Sequence, residues 1–126
     1  MITALVGAFL IVHGLLHLGV WTTPEQPYKP APFDRGHSWA LAAAHVSTAP
    51  ARAAALALAW YTGLVYVVAG AGVLAGSEWW PTAALVAAAS GLALKAIWFD
   101  PWLSVGVLLD AGVLVAVASS WPGSLY

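Results

Sequence analysis

The chain predicts an all-α fold, an integral-membrane four-helix bundle with one long connection after its first helix. Three observations carry that expectation. Charged residues make up 7% of the 126 positions and hydrophobic ones 62%, too little polar surface to cover a soluble globule but suited to a body solvated by lipid. Four apolar segments are each long enough for the roughly 20 residues that a helix needs to cross a hydrocarbon core. Two of the three connections between them are very short, which makes the helices they join antiparallel neighbours.

The first segment, about residues 2–21, has no basic region before it and no clear small-residue cleavage site, so it reads as a retained helix and not a signal peptide. The second begins after Arg52 and carries no charge until Glu78, which places a span at about 51–75. The turn Gly76-Ser77-Glu78-Trp79-Trp80 leads to Pro81, a residue suited to a first helical turn because its missing N–H has no intrahelical partner there; the third span is about 81–98. In Trp98-Phe99-Asp100-Pro101, Asp100 is an N-cap and Pro101 the first helical residue. The fourth span then runs over about 101–120, until Trp121-Pro122-Gly123 stops it.

The long connection runs from Trp21 to about Pro50. Its first half, Thr23 to Pro32, is irregular because its prolines remove donors and fix the backbone. Its second half, Ser38 to Val46, is apolar and helix-compatible but too short to cross. It predicts a short interfacial or re-entrant helix, or an extension of the second span bent at Pro50. With no internal repeat and no low-complexity linker, residues 1–126 form a single transmembrane domain.

Composition excludes several functions. A net charge of -1 with four basic residues gives no footprint for nucleic acid. The absence of cysteine rules out disulfides, thiolate ligands and thiol catalysis, so any metal must use nitrogen and oxygen donors. Lys29, Arg35, Arg52 and Lys95 all fall on the side reached after the first span, which by the positive-inside rule is cytoplasmic, with both termini outside.

The chemistry concentrates in His13 and His17. Two imidazoles one turn apart inside an uncharged apolar helix are expensive in a membrane and share one helix face. The same spacing occurs in the metalloprotease string His-Glu-x-x-His, but Gly14 stands where the general base would be. Metal or haem ligation is one use for the pair, but two histidines leave a metal short of the three or four protein ligands that zinc sites have unless His37, His45, Asp34 or Asp110 closes the set. Asp110, near the middle of the fourth span, is the costliest residue in the chain and is expected to stay protonated or to pair with a histidine. His13, His17 and Asp110 are therefore candidate acid and base groups, with His13 and His17 as candidate metal ligands. His37 and His45 from the connection and Trp60 from inside the second span are candidate cofactor-binding residues. Lys95 is expected to snorkel to the interface and meet Asp100. Trp21, Trp79, Trp80, Trp98, Trp102 and Trp121 fall at helix ends, as an interfacial belt would place them.

Val12-His13-Gly14-Leu15-Leu16-His17-Leu18, Ala59-Trp60-Tyr61-Thr62-Gly63-Leu64 and Trp98-Phe99-Asp100-Pro101 before a last helix with Asp110 resemble a group of small bacterial four-helix membrane proteins, loosely DoxX-like. The resemblance implies a compact bundle with a paired-histidine first helix, in a bacterial cytoplasmic membrane, and brings no reaction with it. The connection from Trp21 to Pro50 is longer and richer in proline and histidine than the group's. Two functions stay open. One is a cytoplasmic-side His/Asp site for a metal, cofactor or lipophilic small molecule, with acid–base chemistry on it. The other is an accessory or scaffold subunit whose small-residue faces dock on a membrane-protein partner or a second copy, the histidines being interfacial hydrogen-bonding groups. A proton pathway is disfavoured, since one mid-membrane carboxylate makes a thin relay.

Overall fold

The computed structural model describes residues 1–24 and 26–126. Among these there is no strand; the elements are α1 (Ile2–Thr22), α2 (Trp39–Ala43), α3 (Thr48–Leu74), α4 (Trp80–Ile97), a 3-10 turn (Pro101–Leu103) leading into α5 (Ser104–Ala118), and a terminal 3-10 turn (Gly123–Leu125). Four helices, α1, α3, α4 and the last with its 3-10 entry, are long and apolar enough to cross a membrane.

Local chemistry sets each boundary. Pro24 disfavours helical dihedrals at Thr23, whose ψ is 124°, and the Thr22 hydroxyl donates back to the Leu18 carbonyl at 2.6 Å. Helix α3 begins at Thr48, earlier than the expected 51, because Pro50 falls in the first turn, where no N–H is needed. The helix ends on Gly76 at φ 63°, with Ser77 N–H bonded to Gly72 O at 3.0 Å and Gly76 N–H to Val73 O at 3.1 Å, the paired bonds of a left-handed C-terminal cap. Asp100 caps as expected, its carboxylate accepting from Trp102 N–H at 2.8 Å, and the chain passes through the 3-10 turn before becoming α-helical at Ser104.

Helices α1 and α3 pack backbone to backbone. A Cβ on Gly14 would lie 2.6 Å from the Gly63 carbonyl oxygen, and one on Gly70 would lie 2.7 Å from that of Gly7, so small residues on both helices are spent on each other. Helix α3 packs in turn on α4, and α4 on α5. Ala84, Ala87, Ala88 and Gly91 are the buried small face of α4.

The irregular stretch expected over residues 23–32 includes Glu25, which lies outside the described residues. The rest of the connection is sewn to the end of the bundle. The guanidinium of Arg35 donates to Trp21 O at 2.6 Å, Ser38 Oγ to Ile97 O at 2.6 Å, and the indoles of Trp39 and Trp98 to Ala96 O and Arg35 O at 2.6 and 3.0 Å. The first three of these bonds satisfy carbonyls that the ends of α1 and α4 leave free, and the fourth ties α4 to the connection. Helix α2 is a separate five-residue turn capped by Ser38 and stopped by His45 at φ 57°, not an extension of α3. Trp21 and Trp98 pack with Phe33 and Leu103 in the core of this end, and Trp80 is buried at the other. Only Trp79, Trp102 and Trp121 of the six expected belt indoles are half exposed or more.

Candidate functional site

Each of the four long helices sends a polar side chain to one point. On α1 the buried face is Leu10, His13, Gly14, His17 and Trp21, a helical stripe that turns both imidazoles inward, each 5% exposed. Helix α3 contributes Tyr66 and α5 contributes Asp110, both fully buried, and α4 contributes Lys95, 3% exposed. Room is made by glycines opposite: a Cβ on Gly91 would run into the Asp110 carboxylate, and one on Gly106 would lie 2.5 Å from Cε of Lys95.

Asp110 is the hub. Its Oδ1 accepts from Tyr66 OH at 2.7 Å and pairs with His13 Nε2 at 2.8 Å, while its Oδ2 accepts from Lys95 Nζ at 2.6 Å. The Lys95 ammonium also meets His17 Nε2 at 3.0 Å and the Gly91 carbonyl at 3.4 Å. The His13 ring stands edge-on to Tyr66, centroids 4.6 Å apart at 89°. Hydrogen-bond roles follow from what each group is able to do. An ammonium only donates, so His17 Nε2 accepts and its proton sits on Nδ1; a carboxylate only accepts, so His13 carries its proton on Nε2. The cluster is thus a Lys95–Asp110 ion pair flanked by two imidazoles in opposite roles, His17 accepting from the ammonium and His13 donating to the carboxylate, so that both members of the pair are bonded as buried charges require.

The pairing of Asp110 with a histidine is as the sequence suggested, but Lys95 corrects the expectation. It does not snorkel to Asp100; it turns inward from the small-residue face of α4, because the carboxylate on α5 offers the strongest partner within reach. Tyr66 is the other member missed. Its signal was its place on the α3 stripe Ala59, Thr62, Gly63, Tyr66, which the glycine and alanine spacing marks as inward. His37 and His45 are exposed on the connection and are not brought to the cluster. Trp60 is 50% exposed on the outward side of α3. Asp34 accepts from Gly36 N–H at 2.7 Å and stands 3.9 Å from Arg52.

The ligand atoms of His13, His17 and Asp110 lie within 4.8 Å of one another, close enough for one metal ion. The position is already served by a cation, however, since Lys95 bonds to two of the three. A divalent ion would be held against that ammonium, a repulsion of several kcal/mol even at an effective dielectric of about 20. Both Nε2 atoms are also engaged, so haem ligation through them would break the cluster. The donor set does not fit a metal or haem while Lys95 is charged.

Helices α1 and α5 do not pack extensively on each other, and the seam between them opens into two clefts. One, of about 380 Å³, has His13, His17 and Lys95 among its lining and is otherwise walled by apolar and aromatic residues, including Leu16, Val20, Trp102 and Leu109. The other, of about 310 Å³, is apolar and lies beyond it along the same seam, sharing Leu109. Comparison with protein-family models, curated proteins and solved structures finds no match to this chain.

Proposed function

We propose that the protein is a multi-pass membrane protein that receives the polar end of a lipophilic small molecule from the bilayer, between α1 and α5. The observation that carries this reading is the cleft itself: an apolar space on an outward-facing seam whose ionisable lining groups are His13, His17 and Lys95. Apolar pockets with a few convergent polar groups are the usual form of small-molecule sites. The two least buried of the four long helices line it, so a molecule dissolved in lipid would reach it laterally.

The connection side, with Lys29, Arg35 and Arg52, is assigned to the cytoplasm by the positive-inside rule, with α2 at the interface. In keeping with the DoxX-like resemblance, the membrane is the cytoplasmic membrane of a bacterium. The accessory-subunit reading is weakened, because small residues of α1, α3 and α4 that could serve docking face one another inside the bundle.

The test is purification in lipid nanodiscs followed by organic extraction and mass spectrometry. Wild-type protein should carry a lipophile in near-stoichiometric amount, and Leu109→Trp, which adds bulk at the wall shared by both clefts, should lose it while keeping its helix content and size. Wild type that extracts empty and takes up no lipophile on incubation sinks the proposal, as does a Leu109→Trp variant that retains the ligand.

A further inference from the structure

The order of hydrogen bonds through the cluster specifies what kind of head group the cleft takes. Resting on the cleft being a ligand site, we infer that its ligand is a neutral lipophile whose head accepts a hydrogen bond, a carbonyl or hydroxyl group, and that His17 is the residue that recognises it.

Charge gives the first half of the inference. Lys95 and Asp110 cancel each other at 2.6 Å, deep in the bundle, and His17, which accepts from the ammonium through Nε2, is neutral. A ligand carboxylate, phosphate or sulfonate would add a net negative charge beside a lysine already neutralised, and an amine would add a net positive one. Either charge would lose its water with no counter-charge to meet it, the most expensive arrangement in a low-dielectric site. A neutral head incurs no such penalty.

Tautomers give the second half. Because His17 Nε2 accepts from Lys95, its Nδ1 bears a proton, and no partner for that N–H occurs among the described residues. That nitrogen is not sealed from its surroundings, and its ring is part of the lining of the cleft. The cleft therefore offers a fixed donor. The donors of Lys95 are committed to Asp110, His17 and Gly91, and the hydroxyl of Tyr66 is committed to Asp110. His17 is the group with a proton to give, and a carbonyl or hydroxyl oxygen is the neutral partner for it.

The experiment uses dodecyl chains ending in a methyl ketone, a hydroxyl, a sulfonate or a primary ammonium, with dodecane as reference. Binding to the protein in nanodiscs is read by native mass spectrometry, and the imidazole ¹⁵N shifts by NMR. The ketone and the alcohol should bind at least about tenfold more tightly than either ion. The free protein should show His17 protonated at Nδ1 and His13 at Nε2, and the His17 Nδ1 resonance should move with the ketone and not with dodecane. In His17→Phe, which keeps the ring volume, ketone affinity should fall to that of dodecane while dodecane binding persists. Sulfonate or ammonium binding as tight as ketone binding overturns this inference and leaves the cleft as a ligand site. So does a His17 protonated at Nε2. Failure of every chain to bind, dodecane included, refutes the cleft as a site and this inference with it.

Discussion

Replacing either member of the buried ion pair should harm the protein more than replacing both. Lys95→Met leaves the Asp110 carboxylate with two donors, His13 and Tyr66, and no counter-charge. Asp110→Asn leaves the ammonium with His17 and Gly91 as acceptors and, again, no counter-charge. Both side chains are at most 3% exposed, so solvent screening does not soften the loss. Each single change should cost about 3–5 kcal/mol of stability, the range for orphaning one partner of a buried pair. The double variant Lys95→Met/Asp110→Asn contains no unpaired charge and should be more stable than either single, giving a coupling energy of at least about 2 kcal/mol. The assay is reversible unfolding by sodium dodecyl sulfate in mixed micelles, followed by the helical circular-dichroism signal for all four proteins. Additive single effects, within about 0.5 kcal/mol, would refute the reasoning, because independent losses mean that the two charges do not compensate each other.

Two further outcomes are expected. Gly14→Val should push α1 off α3 and destabilise the bundle by about 1–3 kcal/mol, whereas Gly19→Ala on the same helix, with nothing within 4 Å of its new Cβ, should fall within about 0.5 kcal/mol of wild type in the same unfolding assay. The chain has no native cysteine, so single cysteines report topology cleanly: in intact cells, Glu78→Cys should react with a membrane-impermeant maleimide and Lys29→Cys should react only after lysis, the reverse pattern disproving the orientation.

Helix positions were legible because the signals are local. Asp100-Pro101 states its own cap, and Gly76 after an apolar run its own stop. So were three of the five cluster residues, since a histidine pair and a carboxylate in apolar segments attract notice one residue at a time. Lys95 was misread because a lysine near a helix end has two stable fates, outward to the interface or inward to a counter-charge, and only the neighbour decides. The information was present in combination: Lys95 continues the stripe Ala84, Ala88, Gly91, and a mid-span aspartate on the next helix needs a cation. His37 and His45 illustrate the opposite limit. Their positions depend on where the connection docks, which Ser38 and Trp39 settle through carbonyls at the end of α4, a tertiary outcome that no local pattern encodes.

Packing and the proposed ligand recognition, alternatives at the level of sequence, draw on the same side chains. The helices form a chain of neighbours, α1 on α3, α3 on α4 and α4 on α5, and apolar contact gives little reason for α5 to close on α1, because lipid tails solvate both equally well. What closes the seam at mid-height is the bond from His13 to Asp110, with Lys95 reaching from Asp110 to His17 behind it. The cluster is therefore a clasp, and the clefts lie along the seam it closes. A molecule hydrogen-bonded to His17 would contact the group that ends the clasp, and if it binds the closed seam better than an open one, linkage makes binding and closure stabilise each other by the same free energy. On that argument a ligand that fits should stabilise the clasp, and loosening the clasp should weaken the ligand.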